Sequence, residues 1–350
     1  MSLTYDVIPV TLVTGFLGSG KSSLLADVLK GDAARDTAVL VNEFGAVGLD
    51  HLLVGEVEAQ TVLLDNGCIC CSIRGELKDA LATLFSRRAR GEVPPFTRVV
   101  LETTGLATPA PIVATLLADP VIRSHYVLNS TVTVVDALNA ALQRARHTEW
   151  LAQVTAADRI LISKTDLADE AHVAVLMTAL GEINPAAEVS SRNLEADALL
   201  DLLFAPASPD ALIRRIGAQA RSTTPAGFGA TGSTLAFAHR TAIRQNDIRS
   251  FCMQIEEPVD WQIFTLWFTM LLNRHGDNIL RVKGLLAIKG AQRPAVLHAV
   301  RHLVHPVLHL DTWPDAVRAS KLVFITEGLS GERIEASYRR FCSTLEESVH

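Results

Sequence analysis

The sequence predicts an α/β chain: a mostly parallel sheet covered by helices on both faces, followed by a smaller α+β domain. Three observations predict it. Through residues 1–205, short apolar runs rich in β-branched residues alternate with helically spaced apolar residues, the pattern of strand–helix–strand units. A glycine-rich turn, Gly15 to Gly20, joins the first strand pattern to the first helix pattern. After a short helix the composition then changes. Pro206, Pro209 and Pro225 join Gly227, Gly229 and Gly232 in a segment poor in large apolar residues, which reads as a linker. The division expected is 1–205, a linker at 206–232 and a second domain at 233–350, and 350 residues suit two domains.

In chain order, strands are expected near 8–14, 37–42, 61–64, 97–102, 131–136 and 159–163. Helices are expected over 21–30, 74–90, 109–118, 137–146, 169–182 and 196–203. The short basic run Arg87-Arg88-Ala89-Arg90 closes the second helix, where cations suit the last carbonyls. The second domain is expected to start with a strand, Leu235 to Ile243, with Asp247 as a helix starter. Trp261, Phe264, Phe268, Leu271 and Leu272 follow helical spacing and bury an aromatic face, more core than cofactor box. Strands near 279–289 and 321–326 and a helix over 331–346 complete it.

Composition sets outer bounds. With 49% hydrophobic and 20% charged residues the chain reads as soluble and globular, and its net charge of −6 gives no footprint for nucleic acid. No stretch approaches the roughly 20 apolar residues that span a bilayer, and no basic-then-apolar leader opens the chain. A cytoplasmic location is expected. The five cysteines are odd in number and three lie within four positions, which argues against a disulfide framework.

In an α/β sheet, ligands sit beyond the carboxyl ends of the strands, where Gly15, Asn42, Glu102 and Ser163 all fall. Gly15-Phe16-Leu17-Gly18-Ser19-Gly20-Lys21-Ser22 comes directly after the apolar run Ile8 to Thr14 and opens a helix, the setting of a phosphate-binding P-loop. Its glycines let backbone N–H groups turn inward around phosphates, and Lys21 brings a cation to the β- and γ-phosphates. The Ser22 hydroxyl suits Mg²⁺. Gly15, Gly18, Ser19, Gly20, Lys21, Ser22 and Ser23 are the nucleotide-binding candidates here. Glu102, ending the buried strand before Thr103-Thr104-Gly105, can hold a Mg²⁺-bound water, and Gly105 can offer its N–H to a γ-phosphate. Lys21 and Glu102 are the catalytic candidates.

Ser163-Lys164-Thr165-Asp166 ends another strand. A carboxylate there accepts hydrogen bonds from N1–H and the 2-amino group of guanine, and the lysine stem can cover the base. Adenine would leave that carboxylate unpaired, so GTP and GDP are the expected nucleotides. Asn42-Glu43-Phe44-Gly45 leaves the second strand as a segment that a γ-phosphate could order, with Glu43 near either Mg²⁺ or a second metal.

Asn66-Gly67-Cys68-Ile69-Cys70-Cys71 sets the chain apart. Three thiols can converge if the backbone curls, and thiolates suit Zn²⁺, Cu⁺ and related ions, with Co²⁺ also admitted. Three local ligands leave a coordination position open, unlike a structural zinc site. Redox sensing is the competing use. Cys68, Cys70, Cys71, Glu43, Ser22 and Glu102 form the metal-ligand set. Cys252 and Cys342 stand alone in helical patterns as inert thiols. His298, His302, His305 and His309 recur at helical spacing, although Pro306 breaks that face; half-buried histidines are the ordinary reading and a metal relay the alternative.

With these elements in order, the sequence resembles the CobW-type metal-chaperone GTPases, whose relatives serve nickel insertion into urease and hydrogenase. The P-loop, Asn42 to Gly45 as first switch, Gly67-Cys68-Ile69-Cys70-Cys71 and Glu102-Thr103-Thr104-Gly105 carry the resemblance. Arg281-Val282-Lys283-Gly284, Trp313-Pro314 and Leu322-Val323-Phe324-Ile325 are similar to the family's second domain. The family's base-reading motif usually opens with asparagine, where this chain has Ser163, and its frequent histidine-rich tract is absent.

The expectation is a GTP-hydrolysing metallochaperone that binds a divalent transition metal, Zn²⁺ or Co²⁺, and transfers it to a client metalloprotein, with a nucleotide-dependent dimer among its states. A dedicated activator of a metalloenzyme such as a nitrile hydratase is a variant. An ATP-dependent small-molecule kinase and a redox-responsive nucleotide-binding regulator are readings of another class.

Overall fold

Seven residues from Ile8 to Thr14 form the strand β1, every one buried except Pro9, because both faces of a parallel sheet are covered by helices. The computed structural model describes residues 7–29, 36–41, 61–63, 72–191, 196–205, 248–313 and 318–348. The chain forms two units, the first comprising Met1–Leu180 and Ala187–Ala207, the second Gly181–Ala186 and Ser208–His350.

In the first unit β1 is succeeded by α1 (Lys21–Leu29), β2 (Thr37–Val41), β3 (Thr61–Leu63), α2 (Ser72–Ala89), β4 (Arg98–Glu102), α3 (Pro109–Ala118) and α4 (Pro120–His125). Then come β5 (Tyr126–Asp136), α5 (Ala140–Arg146), α6 (Thr148–Ala156), β6 (Arg159–Ser163), α7 (Glu170–Ile183), β7 (Glu188–Ser191) and α8 (Ala196–Phe204). The seven strands among the described residues are parallel, in the order β3-β2-β4-β1-β5-β6-β7. Strand order changes direction at β1, which opens a crevice at the carboxyl edge. The register brings that edge together: Val13 pairs with Glu102, Thr14 with Thr133, and Asp136 with Ser163.

Leu24, Leu25, Val28 and Leu29 of α1 pack with Val13, Val39, Val100, Val132, Val134 and Leu161 of the sheet and with Leu199, Leu202 and Leu203 of α8. Each such side chain stabilises the fold by about 1.5–3 kcal/mol when fully buried. Thr11 Oγ1 donates to the Leu203 carbonyl (2.8 Å), and the buried Arg159 donates to the Leu202 and Ala205 carbonyls, so α8 is also tied through polar bonds.

The second unit carries β8 (Ile248–Ile255), α9 (Trp261–His275), β9 (Ile279–Leu286), β10 (Ala295–Val300), β11 (Leu303–Val304), β12 (Leu308–His309), β13 (Ser320–Glu327) and α10 (Gly331–Ser348). Among the described residues its six strands are antiparallel, in the order β11-β10-β9-β13-β8 with β12 on β10. Phe264, Phe268, Leu271 and Leu272 of α9 form one core with Met253, Val282, Leu297, Leu322 and Phe324 of the sheet, as their spacing predicts. Trp267, outside the expected stripe, joins that core, whereas Trp261, expected in it, is 37% exposed at the start of the helix.

Several elements differ from expectation. Residues 248–255 form a strand, not a helix started at Asp247, and Asp260 caps the helix instead, accepting from the Gln262 and Ile263 N–H groups. Cys252 therefore lies on a strand, half-buried beside Val323, and burial pushes its thiol up to about 11. The four histidines share no helix: Ala295, Leu297 and Ala299 are buried on alternate positions of β10, so the period is two. His298 lies on β10 and stacks on His305 (3.7 Å between ring centroids), His302 comes after the positive-φ Arg301, and His309 lies on β12. Helices α4 and α6, and strands β7, β10, β11 and β12, were not expected. β5 begins five residues before its expected start at 131, because a register shift between Val10 and Thr11 carries the polar Asn129 and Ser130 into the strand. The expected strand at 235–243, the linker, Glu43 and the cysteine loop lie outside the described residues.

Candidate nucleotide-binding site

Gly15, Gly18 and Gly20 have φ of +145°, +72° and +89°, a backbone that L side chains rarely adopt. A Cβ at Gly15 would come 2.3 Å from the Val134 carbonyl oxygen, so the turn lies directly on β5. Lys21 curls back over this turn. Its Nζ donates to the Gly15 carbonyl (2.9 Å) and the Phe16 carbonyl (3.4 Å), with the side chain almost wholly buried. Ser22 is half-buried, Ser19 is buried and Ser23 is exposed.

Ser22 Oγ donates to Glu102 Oε1 at 2.8 Å, joining residues 80 positions apart. Glu102 is placed by β4, which pairs with β1 up to Val13. The next residue locks the two strands further: the Thr103 N–H donates to the Val13 carbonyl (3.0 Å), and Thr103 Oγ1 to Thr14 Oγ1 (2.9 Å). A serine hydroxyl beside a buried carboxylate is a set of hard oxygen donors, which fits Mg²⁺. Gly105 comes next, with its backbone against the P-loop. A Cβ there would come 2.5 Å from the Leu17 nitrogen, and the Gly105 N–H makes no hydrogen bond among the described residues.

At the neighbouring strand end, Ser163 is fully buried. Its Oγ lies 2.6 Å from the Ser19 carbonyl and 3.3 Å from that of Val135, so the hydroxyl faces the P-loop. Lys164 takes a left-handed conformation, φ +57°, and its Nζ meets Asp136 Oδ2 at 2.6 Å. Asp136 also accepts from the Leu138 and Asn139 N–H groups and from Asn139 Nδ2. Burial opposes its ionisation, but Lys164, Asn139 and Leu138 outweigh that and hold the carboxyl below the usual carboxylate range. Asp166 is exposed on the short 3₁₀ turn Thr165–Leu167.

The structure thus gathers Gly15, Gly18, Ser19, Gly20, Lys21, Ser22, Glu102, Gly105, Ser163, Lys164 and Asp166 at one sheet edge. No group of three or more metal-ligating side chains occurs among the described residues. Two holders of this edge escaped sequence reasoning. Asp136 ends an apolar strand, the same signal that marks Glu102. Gln153, on the unexpected α6, donates to the Gly105 and Ala107 carbonyls and carries no local signal.

Residues 9–191 match the CobW/HypB/UreG nucleotide-binding domain, and residues 248–342 match the C-terminal domain of cobalamin synthesis protein cobW. The chain belongs to the CobW/HypB/UreG family of P-loop GTPases. It is 36% identical over 331 residues to the zinc chaperone YjiA of Escherichia coli, covering 95% of this chain and 98% of that protein. The zinc-regulated GTPase metalloprotein activator 1 of Schizosaccharomyces pombe is 34% identical over 193 residues, 53% of this chain and 46% of that protein. In three dimensions the chain is similar to the crystal structure of the Zn(II)-bound YjiA GTPase from E. coli, with a TM-score of 0.65 and 29% identity over 96% of this chain and 99% of the other. No helix among the described residues of this family member is long and apolar enough to cross a membrane.

Proposed function

We propose that this chain is a GTP-driven zinc chaperone, which takes Zn²⁺ as cargo at Cys68, Cys70 and Cys71 and passes it to a client protein. The observation that carries the nucleotide half is the 2.8 Å hydrogen bond between Ser22 and Glu102, which brings two distant sequence elements into one oxygen-donor pair beside the P-loop. The cargo half is supported by three thiols within four residues and by whole-length similarity to a protein named a zinc chaperone. Zinc is preferred to cobalt on that similarity.

In this reading, P-loop N–H groups surround the α- and β-phosphates, and Lys21 leaves the Gly15 and Phe16 carbonyls for the β- and γ-phosphates. Ser22 and Glu102 would hold Mg²⁺, which when bound supplies charge neutralisation at the phosphates. The Gly105 N–H meets the γ-phosphate, Lys164 covers the base and Asp166 accepts from guanine. Glu43 and the cysteine loop respond to the γ-phosphate, so hydrolysis loosens the grip on zinc. Neither a hydrolytic base nor an arginine finger stands out among the described residues, and in this reading turnover is slow until a partner binds.

Linkage makes this testable: if GTP tightens zinc, zinc tightens GTP by the same factor. Calorimetric titration of Zn²⁺ and Co²⁺ into the full chain should give tighter binding, Zn²⁺ foremost, with a non-hydrolysable GTP analogue than with GDP. Equal affinities in the two nucleotide states would discard the delivery switch.

A further inference from the structure

Helix α6 reaches the nucleotide edge at two points. At its start, the His147 ring lies against Phe16 of the P-loop, with ring centroids 4.5 Å apart. Further along, Gln153 is 0% exposed, and its Nε2 donates to the Gly105 and Ala107 carbonyls, both at 3.0 Å. Only the amide nitrogen offers two hydrogens to two carbonyls, so these partners fix which way the amide faces. The Gln153 backbone carbonyl accepts from Thr133 Oγ1 (2.8 Å), which ties the helix to β5 next to Val134, the residue whose carbonyl meets Gly15. The turn carrying Gly105 is therefore hydrogen-bonded by Gln153 and lies close against the Leu17 backbone.

We propose that Gln153 is a positioning residue for triphosphate discrimination: it holds the turn at Gly105 against the P-loop, where the Gly105 N–H meets a γ-phosphate. The proposal rests on the reading of Gly105 as a γ-phosphate donor. A diphosphate lacks the γ-phosphate that this turn meets, so the position of the turn affects GTP and spares GDP. Losing the amide leaves two carbonyls without their buried donor, and the turn then relaxes toward water. The chain enters α3 at Pro109, four residues beyond Gly105, so the displacement is local.

The test uses the full chain and two fluorescent probes, a GDP and a non-hydrolysable GTP analogue. Gln153→Met keeps the bulk of the side chain and removes both donors. Its affinity for the GTP analogue should fall roughly 10-fold while GDP stays within about twofold of the parent. Equal loss for both nucleotides, or no loss for either, overturns the proposal, because a purely structural role would not move their ratio. Gly105→Ala separates the premises. If it shifts the ratio while Gln153→Met does not, Gln153 is excluded and Gly105 stands; if it leaves the ratio unchanged, the reading of Gly105 fails and the proposal with it. Should Gln153→Met not fold, nitrogen-15 NMR of the parent protein decides. The Gln153 side-chain amide should exchange with water more slowly with the GTP analogue than with GDP, and equal exchange overturns the proposal.

Discussion

Asp136 is the residue that organises the carboxyl end of β5. Its carboxylate collects two backbone N–H groups, the Asn139 amide and the Lys164 ammonium, and this fixes the left-handed Lys164 that precedes Asp166. A carboxyl whose folded pKa lies below its unfolded value of 3.8 contributes stability that is present above that value and lost as pH falls through the folded pKa. Asp136→Asn should lower stability at pH 7 by about 1–3 kcal/mol, the cost of disrupting a buried, hydrogen-bonded group. The difference from the parent should shrink in melts recorded below pH 3.8, and a constant difference across that range would refute this role. At this scale the sequence exposes residues that act through the backbone or end a strand: the three P-loop glycines, Glu102 and Lys164. It conceals residues that act by tertiary placement. Ser163 stands where the family usually has asparagine, and only the structure places its hydroxyl 2.6 Å from the Ser19 carbonyl, linking the end of β6 to the P-loop. Gln153 is concealed for the same reason, since an interior glutamine of a short helix has no pattern to announce its partners.

Among elements, periodicity was legible where burial is one-sided and misleading where polar residues shared a spacing. The aromatic stripe of α9 gives its helix correctly because Phe264, Phe268, Leu271 and Leu272 face one core, although the exposed Trp261 falls outside it and Trp267 takes its place. The histidines suggested a helix face by spacing alone, whereas the apolar residues between them, Leu297 and Ala299, obey the period of a strand. Helix α4 had a readable start, Asp119 before Pro120, with the Asp119 carboxylate accepting from the Val121 and Ile122 N–H groups. Asp260 caps α9 in the same way, while Asp247 precedes a strand. The difference lies in the partner each segment finds, since 248–255 pairs along its whole length with β13. Removing the cap by Asp260→Ala should cost about 1 kcal/mol. Denaturant titration should show an earlier midpoint with an unchanged slope. An unmoved midpoint would mean that the packed face of α9 alone sets where the helix begins.

On the scale of the whole first unit, the carboxyl edge of the sheet is greasy as well as phosphate-seeking. Leu17, Leu106, Leu138 and Leu167 come after β1, β4, β5 and β6 respectively, with Leu142 on α5, and all are between 48% and 65% exposed. Single exposed leucines are ordinary, but here one lies after each of four adjacent strand ends, at the edge that carries the P-loop. The nucleotide-dependent dimer expected from the sequence would have to bury such an edge if it closes over this face. Leu17 and Leu106 flank the turn at Gly105, so a γ-phosphate that settles this turn would also settle the apolar surface beside it. Leu138→Glu with Leu167→Glu adds charge at the rim without entering the phosphate cradle. The double variant should leave GDP affinity within about twofold of the parent while weakening GTP-analogue-dependent association at least about 10-fold, because desolvating unpaired carboxylates in an interface costs several kcal/mol. Sedimentation velocity with GDP and with the analogue distinguishes the outcomes. A parent chain that sediments as the same species with both nucleotides would remove the dimer from the cycle, and a double variant that still associates would place the interface on another face.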